Sequence, residues 1–98
     1  MSADITKFAF GLIGVDGTLP DVTATGPATP LPSLECHSAV IQAMHGNIGY
    51  VRVGDSNTGA ARGYELFQGE PIAITVNNLN EVYIYGNGTD KVAVLYIL

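Results

Sequence analysis

The sequence predicts an all-β fold: a compact antiparallel β-sandwich or jelly roll of about six to eight short strands. Three observations carry this. Short runs rich in β-branched and aromatic residues place alternate side chains on opposite faces, a period of two. Turn-forming residues bound these runs at intervals of roughly 8–12 residues. No helical segment of ten or more residues separates them, so no α/β unit is present. At 98 residues, the chain fits one domain spanning 1–98.

The first element reads as a strand over residues 5–14, with Phe8, Phe10 and Leu12 on one face. Residues 17–34 differ. Gly17, Pro20, Gly26, Pro27, Pro30 and Pro32 interrupt a stretch of Thr, Ala and Ser. Proline cannot donate to a ladder, so this stretch holds at most one short edge strand, around Asp21–Thr25. The remainder reads as a Pro-rich loop or arm, either draped over a sheet or touching a neighbouring subunit. On that reading, deleting Thr23 to Pro32 would leave a folded domain.

Residues 36–44 read as a strand, with Ala39, Ile41 and Ala43 sharing a face. In residues 48–53, Gly49, Val51 and Val53 oppose Ile48, Tyr50 and Arg52. A polar hairpin loop follows, Gly54 to Gly59. Further on, Ile72, Ile74 and Val76 alternate with Ala73 and Thr75, and Val82 and Ile84 alternate with Tyr83 and Tyr85. In the last segment Val92, Val94 and Tyr96 alternate with Ala93, Leu95 and Ile97. The breaks are Gly69-Glu70-Pro71, Asn77 to Asn80 and Gly86 to Asp90, where Asn and Gly supply the positive φ of tight turns.

Composition narrows the function classes. Charged residues are 13%, against about 25% in ordinary soluble domains. Few charges are left to coat a surface, which points to an assembling protein rather than a free monomer. The net charge is −5, and the four bases Lys7, Arg52, Arg62 and Lys91 are scattered. Neither nucleic acid nor an anionic membrane is an expected partner. Cys36 is the single cysteine, so no intrachain disulfide forms. Neither a signal peptide nor a transmembrane helix is expected.

The chemistry-bearing motifs are thin. Cys36, His37 and His45 invite a metal reading. Adjacent strand residues point to opposite faces, however, and His37 and His45 would lie about 26 Å apart along a strand. Ser56 in Gly54-Asp55-Ser56 has no histidine after it to act as base, so no catalytic nucleophile is expected. Asp55 to Gly59 begins like a calcium loop but fails at Ala60 and Leu66. Asn87-Gly88-Thr89 matches a glycosylation sequon and reads better as a turn. Glu65, Glu70 and Glu81 read as solvated edge charges. No cofactor is expected.

The run Val51 to Ser56, then Gly63-Tyr64-Glu65-Leu66, Gly69-Glu70-Pro71-Ile72, Asn78 to Ile84 and Asp90-Lys91-Val92 resembles small β-structured virion proteins of tailed bacteriophages. The resemblance spans residues 51–97; residues 1–47 carry none. It implies a capsid decoration (cement) protein without enzymatic activity, docking on the outside of the head as a homo-oligomer, a trimer favoured, against the phage major capsid protein. Its place would be the virion, and the host cytoplasm during assembly. A tail-associated or receptor-binding β module is the alternative, and a cupin-like small-molecule binder a weaker one, since cupin metal sites want clustered histidines. Candidate contact residues are Thr23, Thr25, Pro27, Thr29, Pro30, Leu31 and Pro32, with Tyr83 and Tyr85 as interface aromatics.

Overall fold

The computed structural model describes residues 17–98. Among these residues eight strands form two four-stranded sheets, and every pairing is antiparallel. The first sheet has the order β1-β8-β3-β6, from β1 (Gly17–Thr23), β8 (Lys91–Ile97), β3 (Ser38–Ala43) and β6 (Pro71–Thr75). The second has the order β2-β7-β4-β5, from β2 (Thr29–Pro30), β7 (Tyr83–Tyr85), β4 (Val51–Gly54) and β5 (Tyr64–Leu66). A single 3-10 turn at Leu79–Glu81 is the one helical element among the described residues. The all-β sandwich predicted from periodicity is the observed architecture.

The period-two runs explain the core. Ala39, Ile41 and Ala43 of β3 and Val92 and Val94 of β8 point inward from one sheet. Val51 and Val53 of β4, Leu66 of β5 and Ile84 of β7 meet them from the other, with Leu31, Leu79 and Val82 closing the side. Full burial of each Leu, Ile or Val stabilises by about 1.5–3 kcal/mol. The sequence-predicted strand over 5–14 lies outside the described residues.

The Pro-rich stretch 17–34 holds two edge strands, β1 and β2, where the sequence allowed for one around Asp21–Thr25. β1 pairs with β8 from Gly17↔Tyr96 to Thr23↔Lys91. Between Leu19↔Val94 and Val22↔Val92 the register slips by one residue. That bulge, on an edge strand, is where Pro20 fits without breaking the ladder. The chain then crosses to the second sheet, where Thr29 and Pro30 pair with Ile84 and Tyr83. Backbone bonds fasten the crossing: Ala24 N–H to Asp90 C=O at 2.8 Å, and Leu31 N–H to Val82 C=O at 2.9 Å. Asn78 Oδ1 accepts from the Leu34 and Asn80 amides, tying residues 31–36 to the 3-10 turn. Ala24 and Leu31 are both core. Deleting Thr23 to Pro32 would remove β2 and two core residues, so the deletion is now expected to unfold the domain.

Candidate interaction surface

The outer face of the second sheet and the loop beside it carry the most exposed apolar surface. Arg52 on β4 lies opposite Tyr85 on β7 and Glu65 on β5, so the three form one row across the sheet. The same alternation puts Tyr50 two residues before Arg52, and Phe67 two residues after Glu65, on that side. Tyr50 and Phe67 meet edge to face, with ring centroids 6.0 Å apart. The Arg52 guanidinium sits 5.2 Å from the centre of the Tyr50 ring and bonds Glu65 at 2.6 Å. Its charge is thus matched locally, leaving a surface whose character is aromatic.

Ile48 projects from the loop between β3 and β4 and is 84% exposed, while Phe67 is 53% exposed. Two shallow clefts flank Tyr50. One, of about 490 Å³, is lined by Ile48, Gly49, Tyr50, Phe67 and Gln68. The other, of about 280 Å³, is lined by Gly49, Tyr50, Tyr85, Gly86 and Asn87.

The loop that presents Ile48 is built rather than slack. Asp90 is buried, and its carboxylate accepts from the Ile48 amide at 2.9 Å and the Gly49 amide at 2.8 Å. Asn87 Nδ2 donates to the same carboxylate at 3.2 Å. Buried Asn47 clasps the backbone of Lys91 from both ends of its amide, donating to the carbonyl at 2.9 Å and accepting from N–H at 2.8 Å. Gln68 Nε2 donates to the Asn47 carbonyl. This explains why β4 begins at Val51 and not at Ile48: the amides of Ile48 and Gly49 are already engaged by Asp90.

The candidate contact residues are split by the structure. Pro27, Thr29, Pro30 and Pro32 are exposed, and Thr23 and Thr25 half-buried. Leu31 is 1% exposed and is core, not surface, because it plugs the side of the sandwich next to Leu79 and Val82. Tyr83 and Tyr85 are half-buried on the face opposite Ile84. Tyr85 joins the aromatic surface through its cleft with Tyr50; Tyr83 lies opposite Pro30 and Gly54. Sequence reasoning did not single out Ile48 or Phe67 for contact. The parity of Phe67 with Glu65 was the available signal.

The reactive residues are dispersed. Among the described residues, no three His, Cys, Asp or Glu side chains gather into a metal-binding group. Ser56 lies exposed in the β4–β5 turn, which Asp55 organises by accepting from the Asn57 amide and the Thr58 hydroxyl. Asn87 caps its own turn, accepting from the amides of Thr89 and Asp90. Cys36 is half-buried and points its thiol at the Val76 carbonyl, 3.6 Å away. Burial, and then the negative charge of Glu81, push the Cys36 thiol up, which keeps it protonated and a poor nucleophile. Among the described residues no helix is long and apolar enough to cross a membrane.

No protein-family model matches the chain, and no curated protein matches it. A solved chain from work titled "Bacillus endospore appendages form a novel family of disulfide-linked pili" is similar to this one over 95% of this chain and 99% of that chain. The identity is 17% and the TM-score 0.42, so the likeness is distant.

Proposed function

We propose that this chain is a structural protein without catalytic activity, a decoration protein of a tailed-phage head that docks on the capsid exterior as a homo-oligomer, a trimer favoured. The observation that supports docking is the aromatic surface of Ile48, Tyr50 and Phe67, held in place by buried Asp90 and Asn47. Exposed tyrosine and phenylalanine on a rigid frame are what protein interfaces favour, because little side-chain freedom is lost on contact. The phage reading itself rests on the sequence resemblance over residues 51–97. An oligomer meeting a repetitive lattice needs only modest affinity per copy, since linked contacts raise the effective concentration of the next.

The test is co-sedimentation with purified, undecorated heads of the phage that carries the gene. Wild type should pellet with heads, and a chain carrying Ile48→Asp and Phe67→Ser should stay in the supernatant with an unchanged circular dichroism spectrum. Retained binding by that variant moves docking to the exposed residues Pro27, Thr29, Pro30 and Pro32. Failure of wild type to bind heads overturns the decoration role, and binding to tails or host cells instead would establish the alternative.

A further inference from the structure

The four sheet edges are not alike. β1 is bulged and carries Pro20. β2 is two residues long and half of it is proline. β5 has three residues and a charged centre, Glu65. All three are blunted in the ways that keep sheet edges from pairing with other chains. β6 is different. It runs Pro-Ile-Ala-Ile-Thr over Pro71–Thr75, carries no charge, and has proline only at its first position. Among the described residues no strand pairs with its outer side. Alongside it the sandwich gapes into a mostly apolar groove of about 400 Å³, lined by Ile72, Ile74, Val76, Val53 and Val82, with Asp55 and Glu81 also on its lining. Ile72 and Ile74 stay half-exposed there, although their alternation aims them at the core. A bare, uncharged edge beside a mostly apolar groove is a template for one more strand.

We propose that residues 5–14 of one copy of this chain add as a strand to the free edge of β6 in a second copy. The segment has the pattern the groove requires: Phe8, Phe10 and Leu12 fall on one face, with Lys7, Ala9 and Gly11 on the other. Added beside β6, the first set fills the gap between the sheets and the second faces outward.

Reach decides in favour of a second copy. Gly17 pairs with Tyr96, Tyr96 with Ala39, and Ala39 with Ile74. Gly17 and the β6 edge therefore lie at the same height, three strand spacings apart, and an added strand lies about 19 Å from Gly17 at roughly 4.8 Å per spacing. Three residue steps, across Val15 and Asp16, lead from Gly14 to Gly17 and span at most about 11 Å. A strand that runs to Gly14 cannot reach its own β6. The contact is head-to-tail, so copies close into a ring or continue as a filament. It concerns copies of this chain alone and stands whether or not the phage head is the partner.

The experiment uses the full chain. Light scattering behind a sizing column, at tens of micromolar, should give wild type a mass several times the 10.3 kDa of one chain. The Phe8→Lys, Phe10→Lys chain should give the single-chain mass with the same β spectrum. A single-chain wild type, or a variant that keeps the wild-type mass, overturns the proposal. Two further chains, both carrying Cys36→Ser, locate the contact. One carries Ala9→Cys or Gly11→Cys, and the other Ala73→Cys, an exposed site on β6. Mixed and oxidised, they should yield a disulfide-linked pair of unlike chains. If both cysteines are placed in one chain and link only within it, the strand docks on its own copy and the exchange is overturned.

Discussion

Asp90→Asn should be among the most damaging single-atom exchanges in this protein. One carboxylate oxygen accepts from the Ile48 amide, the other from the Gly49 amide and Asn87 Nδ2. The asparagine amide has one acceptor where two are needed. Its NH2 group would face a donor, so one backbone N–H loses its partner whichever way the side chain turns. A buried unpaired amide costs about 1–3 kcal/mol, and loss of charge assistance weakens the surviving bond by about 1 kcal/mol. The sum, about 2–4 kcal/mol, is a large part of the roughly 5–15 kcal/mol that holds a domain together. For a chain of this size it lowers Tm by about 10–30 °C. Thermal unfolding followed by circular dichroism, with urea midpoints at the same protein concentration, measures it. Ile48→Ser serves as control: the side chain is solvent-exposed, so its loss should stay within about 0.5 kcal/mol. An Asp90→Asn protein that melts within about 4 °C of wild type would refute the idea that this carboxylate builds the loop.

Gly86→Ala should destabilise by about 1–3 kcal/mol through overpacking. Its new Cβ would stand 2.7 Å from the Ala24 Cβ and 3.0 Å from the Ala24 carbonyl oxygen. Gly46→Ala, which meets nothing within 4 Å, should be near neutral in the same urea titration. Cys36 should react with iodoacetamide more slowly in the folded chain than in urea at mildly alkaline pH, because burial and Glu81 raise its pKa. The sign for stability follows: the folded state favours the protonated thiol, so the contribution is complete below the unfolded pKa and is lost as pH rises through the folded one. Cys36→Ser should flatten that alkaline decline.

Five strands were legible because strong apolar residues repeat every second position. Ile41 in β3, Val51 and Val53 in β4, Ile72 and Ile74 in β6, Ile84 in β7, and Val92 and Val94 in β8 mark inward faces that local pattern reveals. β2 and β5 were not legible for a physical reason. Thr29 favours strands but Pro30 does not, and two residues show no period; their pairing with β7 is imposed by the burial of Ala24 and Leu31 on either side. β5 has one buried residue, Leu66, too few to show a period. The start of β4 was misplaced because the competitor for the Ile48 and Gly49 amides lies more than forty residues away, in Asp90. The contact surface was half legible for the same reason. Alternation set Tyr85 on the face opposite Ile84 without saying which face meets solvent, and the neighbourhood of Tyr50, Phe67 and Ile48 exists only once three loops meet.

The two proposed contacts use different places in the sandwich. One is the aromatic outer face of the second sheet; the other is the β6 edge of the first. They make different demands. The aromatic face depends on a loop fixed by Asp90 and Asn47, and it is complete within one copy. Among the described residues the β6 edge pairs with no further strand, and the proposed exchange would fill its groove from a second copy. Self-association and docking should therefore separate by mutation. Phe8→Lys with Phe10→Lys should dissolve the oligomer while leaving Ile48 and Phe67 in place, so that head binding weakens through lost avidity and not through a lost contact. Ile48→Asp with Phe67→Ser should leave the oligomer intact and remove the contact itself. A variant of either surface that abolished both properties at once, with its fold intact, would mean that the two surfaces are one.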